Sequence, residues 1–544
     1  MDWKNRLYFG DNLKILRERL ADESVDLIYL DPPFNSNATY NVLFKEKSGE
    51  ESAAQITAFE DTWQWSRDSE AVYREIVESG PRKLADLMQA LLAFLGRNDM
   101  MAYLVMMAVR LVELRRVLKQ TGSIYLHCDP TASHYLKMVM DAVFGPLNYR
   151  NEITWKRRPG MSSAVHSSNR FGVCTDIILF YARSDATRFN PQYNKDDPDY
   201  LRYVEESFRM TDENGRRFQA TSLTNPAYRP NLIYEYKGYK PPRNGWMITK
   251  EKMAAWDREG RIYFPPDKEG RLRRKSYADE LKGMPIQNLW TDIQVISSHA
   301  DERLGYPTQK PEALLERIIK ASSNEGDIVL DPFCGCGTAI AVAERLKRRW
   351  IGIDITYLAI NLVQRRLRDA FGKDLSPYEI IGAPKDVAGA EALKEISPHQ
   401  FEWWAVDLVN ARPAKDHKKG ADTGIDGYIN FFDDKSGRAK QVIVQVKSGY
   451  VGVNHVRDLK GVLEREKAAI GALITLREPT KPMLTEAAAA GFYEPKDFRG
   501  RYPRLQILTI AELLDGKKIL FPEHRVETFA KAERKSKHEQ EELF

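Results

Sequence analysis

The sequence predicts a mixed α/β protein: a mostly parallel sheet flanked by helices, interrupted by a large insertion and followed by a smaller α/β unit. Three observations support this organisation. Strand-like apolar runs alternate with helical patterns in residues 1–150, the alternation returns in residues 288–375, and a separate strand pair lies within residues 395–521. Residues 151–287 are richer in Pro, Asn, Gly and aromatics and lack that rhythm. They are therefore predicted to be inserted into one α/β domain.

The individual elements follow from local patterns. Apolar runs predict strands at 25–30, 123–127, 176–182, 326–331 and 350–355, and helical periodicity predicts helices at 100–119, 339–349 and 357–371. Residues 376–394 are predicted to be a linker, and the strongly charged residues 522–544 a loose tail.

Composition sets the class of protein and its compartment. A hydrophobic fraction of 43% with 29% charged residues is ordinary for a soluble globular chain. No apolar run approaches the ~20 residues that span a bilayer, so no membrane partner is expected. The four cysteines are too few and too scattered for a disulfide framework, and Cys334 and Cys336 have no second pair nearby to complete a zinc site. These features predict a cytoplasmic protein.

The insertion carries the basic surface of the chain. Residues 151–287 contain 25 Lys and Arg against 18 Asp and Glu, interleaved with aromatic residues, most densely at 155–159, 228–246 and 271–277. Such a surface suits nucleic acid, through phosphate contacts and aromatic stacking. A solvated charged face is the alternative.

A glycine-rich turn predicts a nucleoside cofactor. "DPFCGCGT" at 331–338 lies between a predicted strand and a predicted helix, where backbone N–H groups and a helix N-terminus can meet a ligand. Asp354 ends the next strand, 19 residues after Gly335, which matches the spacing at which an acid meets a ribose. The phosphate-loop motif of ATPases is absent, and Ile340 stands where a dinucleotide fingerprint requires glycine.

The turn "DPPF" at 31–34 predicts a holder for an amino group. Asp31 and the carbonyl of Pro32 offer two acceptors whose direction the proline rings fix. Phe34 offers a face for a planar base, and such stacking contributes ~1–3 kcal/mol. A base held here must be flipped out of its duplex, with its amine lone pair turned toward an electrophile such as the methyl group of S-adenosylmethionine. An ordinary strand-ending turn with a chance aromatic is the alternative.

Three motifs in this order resemble one family. "DPPF", then "TQKPEALLERII" at 308–319, then "DPFCGCGT" are similar to the motifs of the amino-group DNA methyltransferases of the β order, and the resemblance covers residues 6–372. It implies a Rossmann-like S-adenosylmethionine-dependent methyltransferase sheet in two halves, 1–150 and 288–375, around an inserted target recognition domain. It also implies double-stranded DNA as the partner and is compatible with a homodimer.

The resemblance assigns site residues motif by motif. It places Asp31, Pro32, Pro33 and Phe34 in the catalytic motif. The cofactor-binding residues that it implies are Asp11, Thr308, Lys310, Asp331, Phe333, Gly335, Gly337, Thr338 and Asp354. For Asp11 and Thr308 a plain helix-capping role competes.

The sequence favours one target base but leaves a second one open. Family members with Asp in the first catalytic position mostly methylate adenine, so Asp31 favours 6-methyladenine over 4-methylcytosine. Methylation of RNA or of a small molecule, and a DNA-binding protein without catalysis, are the other classes.

The C-terminal unit, 395–521, carries a second constellation. Asp426 begins one predicted strand, and Gln445 and Lys447 share a face of the next, an arrangement that can build a Mg²⁺ site for phosphodiester hydrolysis. The stretch resembles the Mrr-like restriction endonucleases, with Glu402 as an additional acid. The chain would then combine restriction and modification, unless the unit has lost cleavage and only binds DNA.

Overall fold

The computed structural model describes residues 3–33, 65–157, 172–297, 300, 302, 304, 306, 309–414, 424–431, 439–495 and 500–522. It forms two compact units, one of residues 1–190 with 288–544 and one of residues 191–287. Two predicted site residues, Phe34 and Thr308, lie outside the described residues, as does the charged tail from residue 523 onward.

The elements are as follows. The strands are β1 (Asn5–Phe9), β2 (Val25–Leu30), β3 (Leu118–Cys128), β4 (Tyr149–Lys156), β5 (Thr175–Ala182), β6 (Tyr193–Asn194), β7 (Met210–Thr211), β8 (Arg217–Ser222), β9 (Ile262–Tyr263), β10 (Arg273–Tyr277), β11 (Met284–Pro285), β12 (Leu289–Trp290), β13 (Ile328–Asp331), β14 (Arg349–Asp354), β15 (Tyr378–Ile381), β16 (Arg412–Pro413), β17 (Gly427–Phe431), β18 (Lys440–Lys447), β19 (Ile470–Thr475), β20 (Phe492–Tyr493), β21 (Tyr502–Pro503) and β22 (Leu505–Thr509). The helices are α1 (Asn12–Arg19), α2 (Arg67–Ser79), α3 (Arg82–Leu95), α4 (Asp99–Val117), α5 (Ser133–Phe144), α6 (Pro198–Ser207), α7 (Lys250–Arg258), α8 (Glu312–Ser322), α9 (Thr338–Arg345), α10 (Tyr357–Phe371), α11 (Val387–Ile396), α12 (Pro398–Leu408), α13 (Val453–Glu466), α14 (Lys481–Ala489) and α15 (Ile510–Leu514).

A nine-stranded sheet organises the first unit. Its order is β12-β4-β5-β3-β2-β13-β14-β1-β15, and β5 runs antiparallel to both of its neighbours. All six residues of β2 are buried, as expected for a strand that is covered on both faces. Helix α4 is apolar on most sides, begins at the Asn98 cap and lies in the main core under this sheet. The prediction of a mostly parallel α/β sheet is confirmed.

The boundaries predicted for the insertion and the linker differ from the structure. Strands β4 and β5 lie within the large sheet, so the separate unit begins at residue 191 and not at 151. The predicted linker, 376–394, instead supplies β15, which pairs in parallel with β1, and most of α11. Both differences arise from strand pairing between residues far apart in sequence, which local composition does not reveal.

The second unit, 191–287, has its own antiparallel sheet and small core. The sheet order is β7-β8-β10-β9. Trp246 is fully buried in a cluster with Met253 and Leu272, and its indole N–H donates to the carbonyl of Tyr234 at 2.8 Å.

The C-terminal residues form a five-stranded sheet, β16-β17-β18-β19-β22, with α13 and α14 packed against it. Helix α12 precedes this sheet and packs on α10 of the large-sheet domain. Of the helices in the described ranges, none is long and apolar enough to cross a membrane.

Candidate active site

Three acids meet at the carboxyl edge of the large sheet. Asp31 follows β2, Asp331 ends β13 and Asp354 ends β14, and these strands are neighbours. Asp331 and Asp354 are 3% and 7% exposed. The catalytic and the cofactor motif, far apart in sequence, are therefore brought to one edge, where ligands of open α/β sheets bind.

The glycine-rich turn has the conformation that its sequence predicts. Gly335 and Gly337 have φ of +48° and +73°, in the left-handed region. The N–H of Gly335 donates to Oδ2 of Asp354 at 2.9 Å, while Oδ1 of Asp354 accepts from the N–H and the hydroxyl of Thr356, both at 2.8 Å. Asp354 thus fixes the turn as well as standing where a ribose is expected.

Arg366 supports this turn from below, a residue that the sequence reasoning missed. Its buried guanidinium donates to Oγ1 of Thr338 at 2.9 Å and to Glu312 at 2.7 Å. Phe333 begins the turn, and its N–H donates to Asp331 at 3.1 Å. Thr338 is therefore engaged by the protein itself, as is the backbone of Phe333.

Asp31 is ion-paired with Lys310. The two side chains are 16% and 13% exposed, and the lysine ammonium contacts Oδ2 of the carboxylate. Burial, and then the charges of Asp31 and Asp354, raise the pKa of Asp331 well above its usual range. Lys310 thus contacts Asp31, and its charge also acts on the carboxyl of Asp331.

Tyr306 is a second residue that the sequence did not single out. Its ring lies against the glycine turn, where a Cβ built on Gly335 would be 3.2 Å from it. Burial, and then the charge of Asp354, raise the pKa of the phenol well above its usual value. The loop around it is held by Gln309, whose side-chain oxygen accepts from the N–H of Leu304 at 2.9 Å.

Asp11 caps a helix. Its carboxylate accepts from the N–H of Lys14 at 3.0 Å and from Arg110 at 2.8 Å. The neighbouring Asn12 donates to the carbonyl of Pro332 at 2.8 Å and so ties α1 to the glycine-rich turn. The capping alternative is what the structure displays, while a contact of Asp11 with the cofactor stays a prediction.

A row of polar side chains lies beside the Asp31 turn. The hydroxyl of Tyr29 is 3.0 Å from Nδ1 of His127, Nε2 of His127 is 3.2 Å from Oδ2 of Asp176, and Oδ1 of Asp176 is 3.0 Å from Nε of Arg157. Sequence reasoning missed this row, because its members come from four separate segments.

The C-terminal constellation is only partly assembled. Asp426 accepts from the N–H of Val446 at 2.6 Å, and Glu402 pairs with His399 at 3.2 Å. Gln445 is 3% exposed, and Lys447 ends the same strand half-buried. Within the residues that the structure describes, no group of three or more His, Cys, Asp or Glu side chains is placed to hold a metal ion, so the predicted Mg²⁺ site at Asp426 lacks support there.

Comparison with known proteins places the chain in a family. The N6_N4_Mtase family model, described as DNA methylase, matches residues 25–365, and a model described as NACHT-associated inactive Restriction Endonuclease 1 matches residues 397–515. The latter agrees with an endonuclease-like unit, while the Mrr-like assignment stays a prediction.

Individual relatives agree with the first match. The chain is 30% identical over 352 residues to Type II methyltransferase M.EcaI of Enterobacter cloacae, covering 62% of this chain and 75% of that protein. It is 27% identical over 352 residues to the StyLTI Mod subunit, a type III restriction-modification enzyme of Salmonella typhimurium, covering 61% and 49%.

Two solved structures are also similar. TTHA0409 of Thermus thermophilus, a putative DNA modification methylase complexed with S-adenosyl-L-methionine, matches 70% of this chain and 99% of that chain, with 15% identity and a TM-score of 0.33. The cytosine-N4-specific PvuII DNA methyltransferase matches 66% and 86%, with 12% identity and a TM-score of 0.33. Because the family model spans more than half of the chain and includes both the Asp31 turn and the glycine turn, the protein belongs to the N6_N4_Mtase family of DNA methylases.

Proposed function

We propose that the protein transfers a methyl group from S-adenosylmethionine to the exocyclic amino group of adenine in double-stranded DNA. The observation that carries this proposal is the convergence of Asp31, Asp331 and Asp354 at one sheet edge, beside a left-handed glycine turn. Asp31 in the first catalytic position favours adenine, and cytosine is the second candidate base.

The charges of the site fit this cofactor. Burial raises the pKa of both Asp331 and Asp354, and the repulsion between carboxylates adds to the shift of Asp331. A ligand that brings positive charge relieves this repulsion. The methionine end of S-adenosylmethionine carries a sulfonium and an ammonium against one carboxylate, so its charge suits the pocket, and when bound it supplies an electrophilic methyl group.

The glycine turn and Asp354 form the nucleoside side of the pocket. The turn brings backbone close to the N-terminus of α9, and its two glycines allow close packing: a Cβ on Gly335 would meet the ring of Tyr306, and one on Gly337 would meet Val363. Asp354 is already oriented by three donors from the protein, so binding a ribose would require little further ordering of its side chain.

The Asp31 turn handles the amino group. Lys310 contacts Oδ2 of Asp31, and we assign Oδ1 and the carbonyl of Pro32 to the two amino protons. Accepting both protons directs the nitrogen lone pair toward the methyl group. As the nitrogen–carbon bond forms and the sulfur–carbon bond breaks, the nitrogen becomes positive and then loses one proton, for which Asp31 is the adjacent acceptor.

The second unit is assigned to DNA recognition. Its loop at 228–247 exposes the large side chains of Tyr228 and Met247, at 64% and 53%, alongside the exposed cations Arg229 and Arg243. An exposed ring and exposed cations together suit stacking on bases and contact with phosphates.

The test is direct product analysis. The purified protein is incubated with unmethylated genomic DNA and S-adenosylmethionine, the DNA is digested to nucleosides, and methylated bases are quantified by mass spectrometry. Wild type is expected to form 6-methyladenine, and Asp31→Asn to lose at least about a hundredfold in rate, since it loses an oriented charged acceptor.

The matched control is Asp185→Asn, which removes a 96% exposed carboxylate from the same domain and should leave the rate unchanged. Formation of 4-methylcytosine would show that cytosine is the target base, and the proposed mechanism would stand. Absence of any methylated base from wild-type reactions would overturn the proposal.

A further inference from the structure

The row formed by Tyr29, His127, Asp176 and Arg157, called here the Tyr29 row, runs across the sheet at the edge that carries Asp31. Each contact steps to the next strand, from β2 to β3, then to β5 and to the residue after β4. Because β5 is antiparallel to its neighbours, its start lies beside the carboxyl ends of the others. Three strands and the residue that follows β4 thus contribute to one polar row.

The row is buried at its centre. His127, Asp176 and Tyr29 are 0%, 1% and 2% exposed, and the His127 ring also stands edge-on to Trp155 at 5.8 Å between centroids. Burying a carboxylate and an imidazole costs free energy unless their partners are well placed, and apolar residues would fill the same space without that cost. Such a network at a ligand-binding edge therefore calls for a role beyond packing.

The direction of each hydrogen bond follows from the charge on Asp176. Burial opposes ionisation of this carboxyl, but His127, Arg157 and Lys310 together lower its pKa below the usual value. An ionised Asp176 accepts, so Nε2 of His127 carries the proton that it donates. With the proton on Nε2, Nδ1 is the acceptor that the hydroxyl of Tyr29 meets at 3.0 Å. Burial, and then the charge of Asp31, raise the pKa of Tyr29 and keep this proton in place.

The Asp31 turn needs support of this kind. The ladder between β2 and β3 ends at Leu30, which pairs with Leu126, and Pro32 and Pro33 have no N–H groups to continue it. Tyr29 is two residues before Asp31, near enough for the charge of Asp31 to raise the pKa of its phenol. Tyr29 is therefore the last residue before the turn whose side chain is anchored to the neighbouring strand.

We propose that His127 and Asp176 are positioning residues for methyl transfer: Asp176 fixes the imidazole, His127 fixes the hydroxyl of Tyr29, and Tyr29 holds the strand end from which Asp31 receives the amino group. The inference rests on the proposed function of Asp31. In this inference, residues of β3 and β5 help to orient the reacting nitrogen.

Two conservative substitutions test the row. Tyr29→Phe removes the hydroxyl and keeps the ring. Asp176→Asn keeps the shape but presents an amide, whose N–H can donate to Nε2, shift the imidazole proton to Nδ1 and leave the Tyr29 hydroxyl without its acceptor. Both variants are expected to lower kcat roughly ten- to hundredfold, the effect of a small misplacement of a reacting group. The affinity for S-adenosylhomocysteine, measured by calorimetry, and the KM for genomic DNA should stay within about twofold of wild type.

Tyr181→Phe is the matched control. Tyr181 is also fully buried in β5 and donates its hydroxyl to a carboxylate, Asp141, at 2.7 Å, but it lies at the opposite end of that strand. Its loss should lower the melting temperature about as much as Tyr29→Phe does, with no change in kcat below the transition.

The outcomes separate this inference from the proposed function. A loss of kcat in Tyr29→Phe and Asp176→Asn, with unchanged KM and cofactor affinity, supports it. If both variants keep wild-type kcat while Asp31→Asn is inactive, the row is only structural and the inference fails alone. A wild-type protein that transfers no methyl group would overturn the proposed function and this inference with it.

Discussion

Gly337 shows two independent constraints at the residue scale. Its φ of +73° lies in the left-handed region, which costs an L-residue roughly 1–2 kcal/mol. A Cβ at this position would also lie 2.7 Å from Cγ2 of Val363, on the helix below the turn. Glycine is therefore required both by the backbone conformation and by the close approach of α10.

Replacement of Gly337 by Ala should expose these two costs. We expect it to lower the free energy of unfolding by about 2–4 kcal/mol, from backbone strain and overpacking together. Gly326→Ala is the control, because Gly326 has φ +82° with nothing near its Cβ position, so it should lose only the strain part. Urea unfolding of both variants measures the difference, and Val363→Ala should restore part of the loss in the first. Equal losses at the two glycines would contradict the contact with Val363.

The residues that the sequence could predict are those that act through local chemistry. Gly335, Gly337 and Asp354 belong to one continuous strand–turn–helix–strand segment. Within such a segment, the spacing along the chain determines which residues come into contact. Arg366 and Tyr306 reach the same turn from other segments, and nothing in their local sequence marks them. The pairing of Lys310 with Asp31 was missed for the same reason, although both residues had been singled out separately.

At the scale of secondary-structure elements, helix α10 connects the glycine-rich turn to the C-terminal unit. Its cap, Thr356, donates to Asp354, and its inner face supports the glycine turn. Its other face meets α12, where the Gln364 amide donates to Asp407 at 2.9 Å and the backbone N–H of Tyr357 donates to Gln400 at 2.6 Å. The glycine-rich turn and the C-terminal unit thus both contact one helix.

Asp407 makes this interface sensitive to pH. Burial raises the pKa of its carboxyl, although Gln364 and Arg368 partly compensate. A carboxyl with a raised pKa in the folded state binds its proton more tightly there than in the unfolded chain. Its contribution to stability is therefore present below the unfolded pKa and is lost as pH rises through the folded value.

Asp407→Asn is expected to remove the loss of stability that wild type shows as pH rises. The amide oxygen can still accept from Gln364, so at pH 7 the variant should be as stable as wild type or more so, and the difference should shrink as pH falls toward 4. Asp407→Ala leaves the buried donor of Gln364 unpaired and should cost about 1–3 kcal/mol. Thermal melts of the three proteins between pH 4 and 7 provide the measurement. The opposite result would be an Asn variant whose stability relative to wild type is lower at pH 7 than at pH 4. It would show that the ionised carboxylate stabilises this interface.

Elements differ in how well local sequence predicts them. Strand β2 and helix α10 were predicted within their observed bounds, because a buried apolar run and a long amphipathic period are local signals. Strand β15 was taken for part of a linker: it is four residues long, and its partner β1 lies at the other end of the domain. Strand β5 was recognised but assigned to the insertion, since its antiparallel pairing with β3 is invisible in sequence.

At the scale of the whole molecule, the order of the motifs predicted the architecture better than composition did. Strand β2 precedes the insertion and strands β13 and β14 follow it, yet the three are neighbours in the sheet. Net charge and aromatic content pointed to nucleic acid, but they placed the insertion boundary 40 residues before the compact unit that starts at Pro191. Composition changes gradually along a chain, whereas a domain boundary is set by where contacts end.

The C-terminal unit should not cleave DNA. The hydrogen bond between Nδ1 of His399 and the carboxylate of Glu402 raises the pKa of His399, against the effect of burial, and the charge of Asp426 adds to the shift. His399 thus already engages Glu402, an acid that a metal ion would need. Gln445 is neutral, and its side-chain oxygen is buried without a hydrogen-bond partner among the described residues, so the described part of the site offers Mg²⁺ little negative charge.

Supercoiled plasmid incubated with the protein and Mg²⁺ or Mn²⁺, with and without S-adenosylmethionine, is accordingly expected to stay supercoiled on agarose gels. Gln445→Glu supplies the missing carboxylate and is the variant in which metal binding, measured by calorimetry, should rise if the remaining groups are competent. Nicking by wild type that Asp426→Asn or Lys447→Ala abolishes would contradict this prediction. Such a result would mean that Gln445 and the segments beside it complete a functional site, and that one chain both modifies and cuts DNA.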